Sequence, residues 1–400
     1  MAAFKGLKAE FAAFIEQHAP ASLRGTRQGA FDGFWGGRRW DHANPDYEIW
    51  RDRCLSSGLT APTWPAEFGG AGLSGDAYAA WDEALIEAKM PPPVVGFGLT
   101  MIGPTLLNYG TQAQIEQHLP AIVRGDLRWC QGYSEPGAGS DLASLSTQAE
   151  LDGDHLLVTG QKVWTSYAHL SDWIFALVRT SRGERKQQGI TFLLIDLNSP
   201  GVEIRPIELI SGSSPFCEVF FDQVRVPVDQ VVGAIDEGWS VAKALLGFER
   251  SMIGAAVAGQ LKGLERPFVD YARRALGDDD GPLSDPLLRQ EIAGYAMDES
   301  CYHEVLDRID EARRSGRTPG PEASVVKLVG TELKKSRFDL EMRIAGQRGL
   351  GWAGPGFESG ELDASRAWLR SRANSIEGGT SEIHINILAQ RVLGLPKGTS

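Results

Sequence analysis

The hydrophobic period of this chain changes twice. Between about 145 and 230 it carries short β-branched or aromatic runs: Leu156-Leu157-Val158, Trp173 to Val178, Ile190 to Ile195 and Val219-Phe220-Phe221. The turn signals Asp152-Gly153, Arg182-Gly183 and Ser199-Pro200-Gly201 bound them. Branched and ring side chains fit a pleated surface, so these runs predict strands of an antiparallel sandwich or barrel. On either side the period is helical. Phe4, Leu7, Phe11, Phe14 and Ile15 share one face, and helical runs follow at 77–89 and 112–124. After Gly238, long segments at 238–276, 285–315 and 321–345 precede shorter ones near 361–372 and 381–393. The breaks fall at Gly277 to Gly281 and Ser315 to Pro321. Long helices with short connections predict an antiparallel bundle. The expected fold is α+β and mainly helical, in three domains. They are an N-terminal helical domain over 1–125, a central antiparallel β-domain over 126–236 and a C-terminal four-helix bundle over 237–400.

Composition narrows the class of function. The chain has 400 residues, 42% of them hydrophobic, enough for a substantial core. Its 40 Lys and Arg against 52 Asp and Glu leave a net charge of −12, which disfavours nucleic acid and anionic membrane as partners. No apolar run approaches the roughly 20 residues of a membrane span, and the N-terminus lacks the pattern of a signal peptide. Cys54, Cys130, Cys217 and Cys301 form no CxxC pair, so reduced thiols in a cytoplasmic protein are expected.

Two motifs are decoys. Gly70-Ala71-Gly72-Leu73-Ser74-Gly75 matches GxGxxG, but Pro65 argues against the buried strand that a dinucleotide fingerprint requires before it. A structural turn is the expectation there. His303-Glu304 lacks the second His of a zincin, and no metal site is expected.

The segment Ser134-Glu135-Pro136-Gly137-Ala138-Gly139-Ser140-Asp141 is rich in turn formers whose backbone N–H groups can converge. Such a loop suits a flat polar heterocycle or a phosphate, and equally a turn linking two domains. The segment resembles the flavin-domain motif of the acyl-CoA dehydrogenase family. Trp64 to Gly70 resembles that family's N-terminal WPxxxGG turn. Gly103 to Leu107, Gly160 to Trp164, Val224 to Pro227, Glu237-Gly238-Trp239 and Gly378 to Ile383 follow in the family's order.

The resemblance implies FAD as cofactor and α,β-dehydrogenation of an acyl-CoA thioester, with electrons passed to an electron-transferring flavoprotein. By family position Ser134 meets the pyrimidine edge of the flavin, Trp164 flanks the ring, and Ser166 donates toward N5. Gly139 and Ser140 belong to the same cofactor loop, and Thr380 and Glu382 to the cofactor-binding terminal segment. Arg273 resembles the first arginine of the family's RxxFG segment, with Leu276 in place of Phe, and would pair with the pyrophosphate of a neighbouring subunit. Gln290 falls where the family places a further FAD contact. Arg343 stands where the family has Gln, a departure on the adenosine side.

The catalytic base is implied at one of two positions. Many members carry it as the Glu of Tyr-Glu-Gly-Thr, where this chain has Gly378, with Glu377 one residue early. Gly378 can still offer its N–H to the thioester oxygen. A minority branch places the base on a helix at the position of Glu249, which follows the apolar Leu245 and Phe248. Glu249 is preferred. This helix, with Gly-Gly-Thr, resembles actinobacterial-type members acting on steroid side-chain or branched acyl-CoA substrates. Some of those assemble from two related subunits, so the resemblance implies a homotetramer or a heterotetramer. The rivals are an oxidase of the same fold and a catalytically silent partner subunit. Gly96, Gly98 and the small residues at 254–256 leave room for a bulky acyl group.

Overall fold

A computed structural model of the chain describes residues 2–27, 32–40, 43–249, 268–276, 283–314, 320–321 and 324–396. It divides into two compact units, Met1–Ile207 with Ser214–Met252, and Glu208–Ser213 with Ile253–Ser400.

The first unit opens with α1 (Ala2–His18), α2 (Asp46–Leu55), α3 (Gly75–Glu87), α4 (Gly103–Tyr109) and α5 (Gln112–Arg124). The start of α5 is fixed by a capping box: Gln114 N donates to Thr111 Oγ1 and Thr111 N to Gln114 Oε1. Left-handed Gly125 ends the helix. Gln114 Nε2 also reaches Asp229 O and Val231 O, tying this helix to the segment after the last strand. The GxGxxG decoy is a packing turn. A short 3₁₀ turn at Ala66–Phe68, not a strand, precedes it, and a Cβ on Gly70 would lie 2.1 Å from Trp64 O.

Seven strands follow: β1 (Trp129–Gly132), β2 (Gln148–Asp152), β3 (His155–Ser166), β4 (Trp173–Arg179), β5 (Ile190–Asp196), β6 (Val202–Ile207) and β7 (Phe216–Pro227). The order is β1-β4-β2-β3-β7-β6, with β5 on β4. Most pairs are antiparallel, as the turn spacing predicts. The exceptions are β1, parallel to β4 from Trp129↔Trp173 to Gly132↔Ala176, and the single parallel pair Gln148↔Arg179. The loop and the β2–β3 hairpin between β1 and β4 supply the crossover that parallel neighbours need. β4 and β5 are covered on both faces, hence their unbroken apolar runs. Phe175 and Leu177 join the cluster containing Ile122, Trp129 and Leu245, while Ile174, Ala176 and Val178 join Val158, Val219 and Val224. Residues 238–249, here α6, are helical.

In the second unit α7 (Phe268–Leu276), α8 (Pro286–Arg314), α9 (Ser324–Ala345), α10 (Ser359–Ser371) and α11 (Ser381–Ile387) follow the expected helical segments. Ala272, Leu288, Ile292, Tyr302, Leu333 and Leu340 are among its core residues. The helix expected over 238–276 is described at its two ends only. The small residues at 254–256 and the break at 277–281 lie outside the described residues, as does most of the break at 315–321. Cys54, Cys130 and Cys217 are buried thiols, and Cys301 is an exposed one on α8. Among the described residues no helix is long and apolar enough to cross a membrane, and no side-chain cluster could hold a metal.

Candidate functional site

Strand β1 leads directly into the Gly-rich loop. Glu135 N donates to Ala138 O and Ala138 N to Glu135 O, both at 3.0 Å, so Pro136 and Gly137 form a two-residue turn. Val163 N donates to Ser134 O at 2.9 Å and fastens the loop to β3. Beneath it lies a sealed ion pair. Lys162 Nζ is 2.7 Å from Glu135 Oε1, which also accepts from Thr147 N. Glu135 Oε2 accepts from Ser146 N and Ser146 Oγ. Burial alone would raise the Glu135 pKa, but the Lys162 charge and these donors overcome it and bring it to about 2. Burial pulls Lys162 down to about 8 against the pull of Glu135.

Above the pair, Gly137, Gly139 and Ser140 are exposed. A Cβ on either glycine would meet nothing within 4 Å, and neither has a positive φ. The chain's own packing therefore does not demand them, and they leave bare backbone open to close approach.

Trp164 stands beside this surface. It occupies a bulge where the β3–β7 register shifts between Lys162 and Thr165, with φ +59°. A left-handed bulky residue is strained, and its ring is not in the core: Trp164 is 55% exposed, touching Phe216 edge-on at 6.1 Å. Ser166 follows two residues on, half-buried, as Ser134 is. Neither hydroxyl is engaged by another described residue. An exposed ring between two hydroxyls, beside open backbone, fits a flat polar heterocycle.

Glu249 lies at the end of described α6. Gln131 Nε2 donates to its Oε2 at 3.0 Å, so β1 holds the carboxylate. Val241, Ala242 and Leu245 of the same helix pack into the cluster with Trp129 and Tyr133. Tyr133 is buried with its hydroxyl unpartnered among the described residues, and burial, then the Glu249 charge, keeps it protonated.

The remaining candidates belong to the second unit. Glu377 is clamped: Arg370 Nη2 and Nη1 donate at 2.7 and 3.3 Å, and Asn374 Nδ2 at 2.6 Å. Gly378 and Gly379 follow with φ of +62° and +92°. Lys327 Nζ donates to Gly379 O at 2.6 Å. Thr380 caps α11 by accepting from Ile383 N, and Glu382 sits in that helix's first turn, where a backbone amide and then Thr380 hold its carboxyl low. Arg273 is half-buried on α7, 3.9 Å from Asp270. Gln290 is exposed on α8. Arg343 is paired with Glu291, the next residue after Gln290, and with Asp285 at 3.8 Å.

Sequence reasoning missed the partners. Gln131 falls on the same side of the extended chain as the apolar Trp129 and Tyr133, and a polar residue in that register was the available signal. Lys162 and Arg370 carried none.

Known proteins are similar to this chain over most of its length. Models of the acyl-CoA dehydrogenase N-terminal, middle and C-terminal domains match residues 37–126, 130–224 and 236–393. Acyl-CoA dehydrogenase IpdE1 of Mycobacterium tuberculosis (strain ATCC 25618 / H37Rv) is 42% identical over 373 residues, covering 92% of this chain and 93% of that protein. A solved structure described as the Tcur3481-Tcur3483 steroid ACAD aligns with 100% of this chain and 99% of its own, at 29% identity and a TM-score of 0.78. The ChsE4-ChsE5 complex from Mycobacterium tuberculosis aligns over 100% and 99%, at 28% identity and a TM-score of 0.73.

Proposed function

This chain belongs to the acyl-CoA dehydrogenase family, and on that premise we propose an FAD-dependent enzyme that introduces an α,β double bond into an acyl-CoA thioester. The observation that carries the reading is the carboxylate of Glu249 held by Gln131 on the strand that runs into the open loop. When bound, the flavin supplies the acceptor for the hydride leaving the β-carbon.

The chain's residues divide the other tasks. Ser134 and Ser166 would offer hydroxyls to the edge of the ring, Trp164 would lie along it, and the backbone at Gly139 and Ser140 would approach it. Arg273, Gln290, Thr380 and Glu382 are assigned to the rest of the cofactor by family position. Arg343 must first leave Glu291 and Asp285 to do the same.

The α-proton of a thioester is too weakly acidic to leave without a positioned base and a stabilised oxygen. Glu249 takes that proton. Glu377 is a poor alternative, because Arg370 and Asn374 already occupy its oxygens. Gly378 is assigned the N–H that meets the thioester oxygen.

A steroid-derived acyl group and a heterotetramer with a related subunit draw support from the two structures above, one described as a steroid ACAD and the other as a two-protein complex. Electron-transferring flavoprotein is the proposed acceptor. The test is visible absorbance of the purified protein, followed by turnover of acyl-CoA thioesters with a dye acceptor. A colourless protein would make it the silent subunit, and rapid peroxide formation without dye would make it an oxidase.

A further inference from the structure

We propose that Gln131 is a positioning residue for the reaction, its side-chain amide fixing the carboxylate of Glu249 in place to take the α-proton. This rests on the acyl-CoA reading above, with Glu249 as base, and adds a residue to that chemistry.

Side chains along β1 alternate between two apolar clusters. Cys130 faces one, and Trp129 and Tyr133 face the other. Gln131 falls between Trp129 and Tyr133 on their side of the strand, and its register partner on β4 is Phe175 of the same cluster. Helix α6 packs into this cluster through Val241, Ala242 and Leu245. Glu249 follows Leu245 by one helical turn, so the two share a face of the helix. The 3.0 Å hydrogen bond from Gln131 Nε2 to Glu249 Oε2 therefore joins a strand and a helix that packing already holds. Its two residues are 118 apart in sequence, and neither element places the carboxylate by itself.

A glutamate has several side-chain torsions, and an unheld carboxylate spreads over many rotamers. A hydrogen bond from a fixed strand selects among them before substrate arrives, and such preorganisation is a main source of rate. The neutrality of this donor matters. A cation in its place would favour the charged carboxylate and oppose proton uptake, whereas an amide fixes position and opposes it far less. Once Glu249 is protonated, its carbonyl oxygen can still accept from Gln131, so the contact can last through the transfer.

The test is a double-mutant cycle on the flavin-loaded protein, read with a dye acceptor and the best substrate among octanoyl-, isovaleryl- and cholyl-CoA. Gln131→Met keeps the length of the side chain and suits its apolar neighbours, but has no donor. It should lower kcat about 10–100-fold and leave KM within about twofold of wild type, because Gln131 acts through the base and not on the substrate. In a Glu249→Gln background the same change should cost less than about twofold. Turnover of Gln131→Met within about twofold of wild type overturns the proposal, and so does a loss carried by KM. A loss of equal size in both backgrounds also overturns it, since that marks a merely structural residue. If Gln131→Met does not fold, Gln131→Asn, whose amide is one methylene short, takes its place in the cycle under the same criteria. If the wild type turns over none of the thioesters, the acyl-CoA reading has failed. If it does but Glu249→Gln keeps near-normal turnover, the base is elsewhere. Gln131 loses its assignment in either case.

Discussion

Lys162 Nζ lies 2.7 Å from Glu135 Oε1, and both side chains are sealed from water. Together they form the floor of the loop on which the proposed cofactor rests. Replacing one partner strands the other, so Glu135→Gln should cost about 3–5 kcal/mol at pH 7. Because the folded carboxyl ionises at about 2 rather than 4.5, its contribution is complete above 4.5 and lost as pH falls toward 2. The gap between wild type and variant should close over that window. Denaturant melts at pH 7, 4 and 3 measure it, and a gap that stays constant would count against the pair.

Glu249→Gln should lower dye-coupled turnover by about two to four orders of magnitude, the usual yield of a positioned base. Its flavin absorbance should be unchanged. Glu377→Gln, which loosens the grip of Arg370 rather than the chemistry, should lower stability more than turnover. Side-by-side kinetics and melts separate the two glutamates, and the reverse ranking would move the base to Glu377.

Trp164→Gly should relieve a left-handed φ at an exposed position, offset by glycine's greater freedom when unfolded. The net change expected is within about 1 kcal/mol of wild type. Flavin affinity should fall, because the ring proposed to lie along the cofactor is gone. Melts of the cofactor-free protein and flavin titrations test both halves. A large loss of cofactor-free stability would mean that the ring serves packing after all.

Gly103→Ala would place a Cβ 2.0 Å from Cζ2 of the buried Trp64. Overpacking of this kind costs about 1–3 kcal/mol, and Trp64→Phe in the same chain should recover part of it. A thermal melt of the single and double variants reads the coupling.

The order of helices and strands was legible because the period itself changes, and no tertiary knowledge is needed to see it. The parallel placement of β1 was not, since strand pairing is decided by what crosses over between the strands. In the GxGxxG turn, Gly70 packs against the Trp64 backbone, a contact invisible to pattern matching. Trp164 shows the converse. Aromatic residues in strands are ordinarily core, and only the bulge and its positive φ turn this one outward. Glu135 and Lys162 both stand inside motifs that were read, yet their pairing spans 27 residues and two strands.

The burial of three thiols has a chemical consequence for an enzyme of this kind. An α,β-unsaturated thioester is an electrophile, and thiolates add to it readily. Burial raises the pKa of Cys54, Cys130 and Cys217 and closes their access, so each stays a protonated thiol out of reach. Among the described thiols, conjugate addition of the proposed product would be confined to Cys301 on the exposed surface of α8.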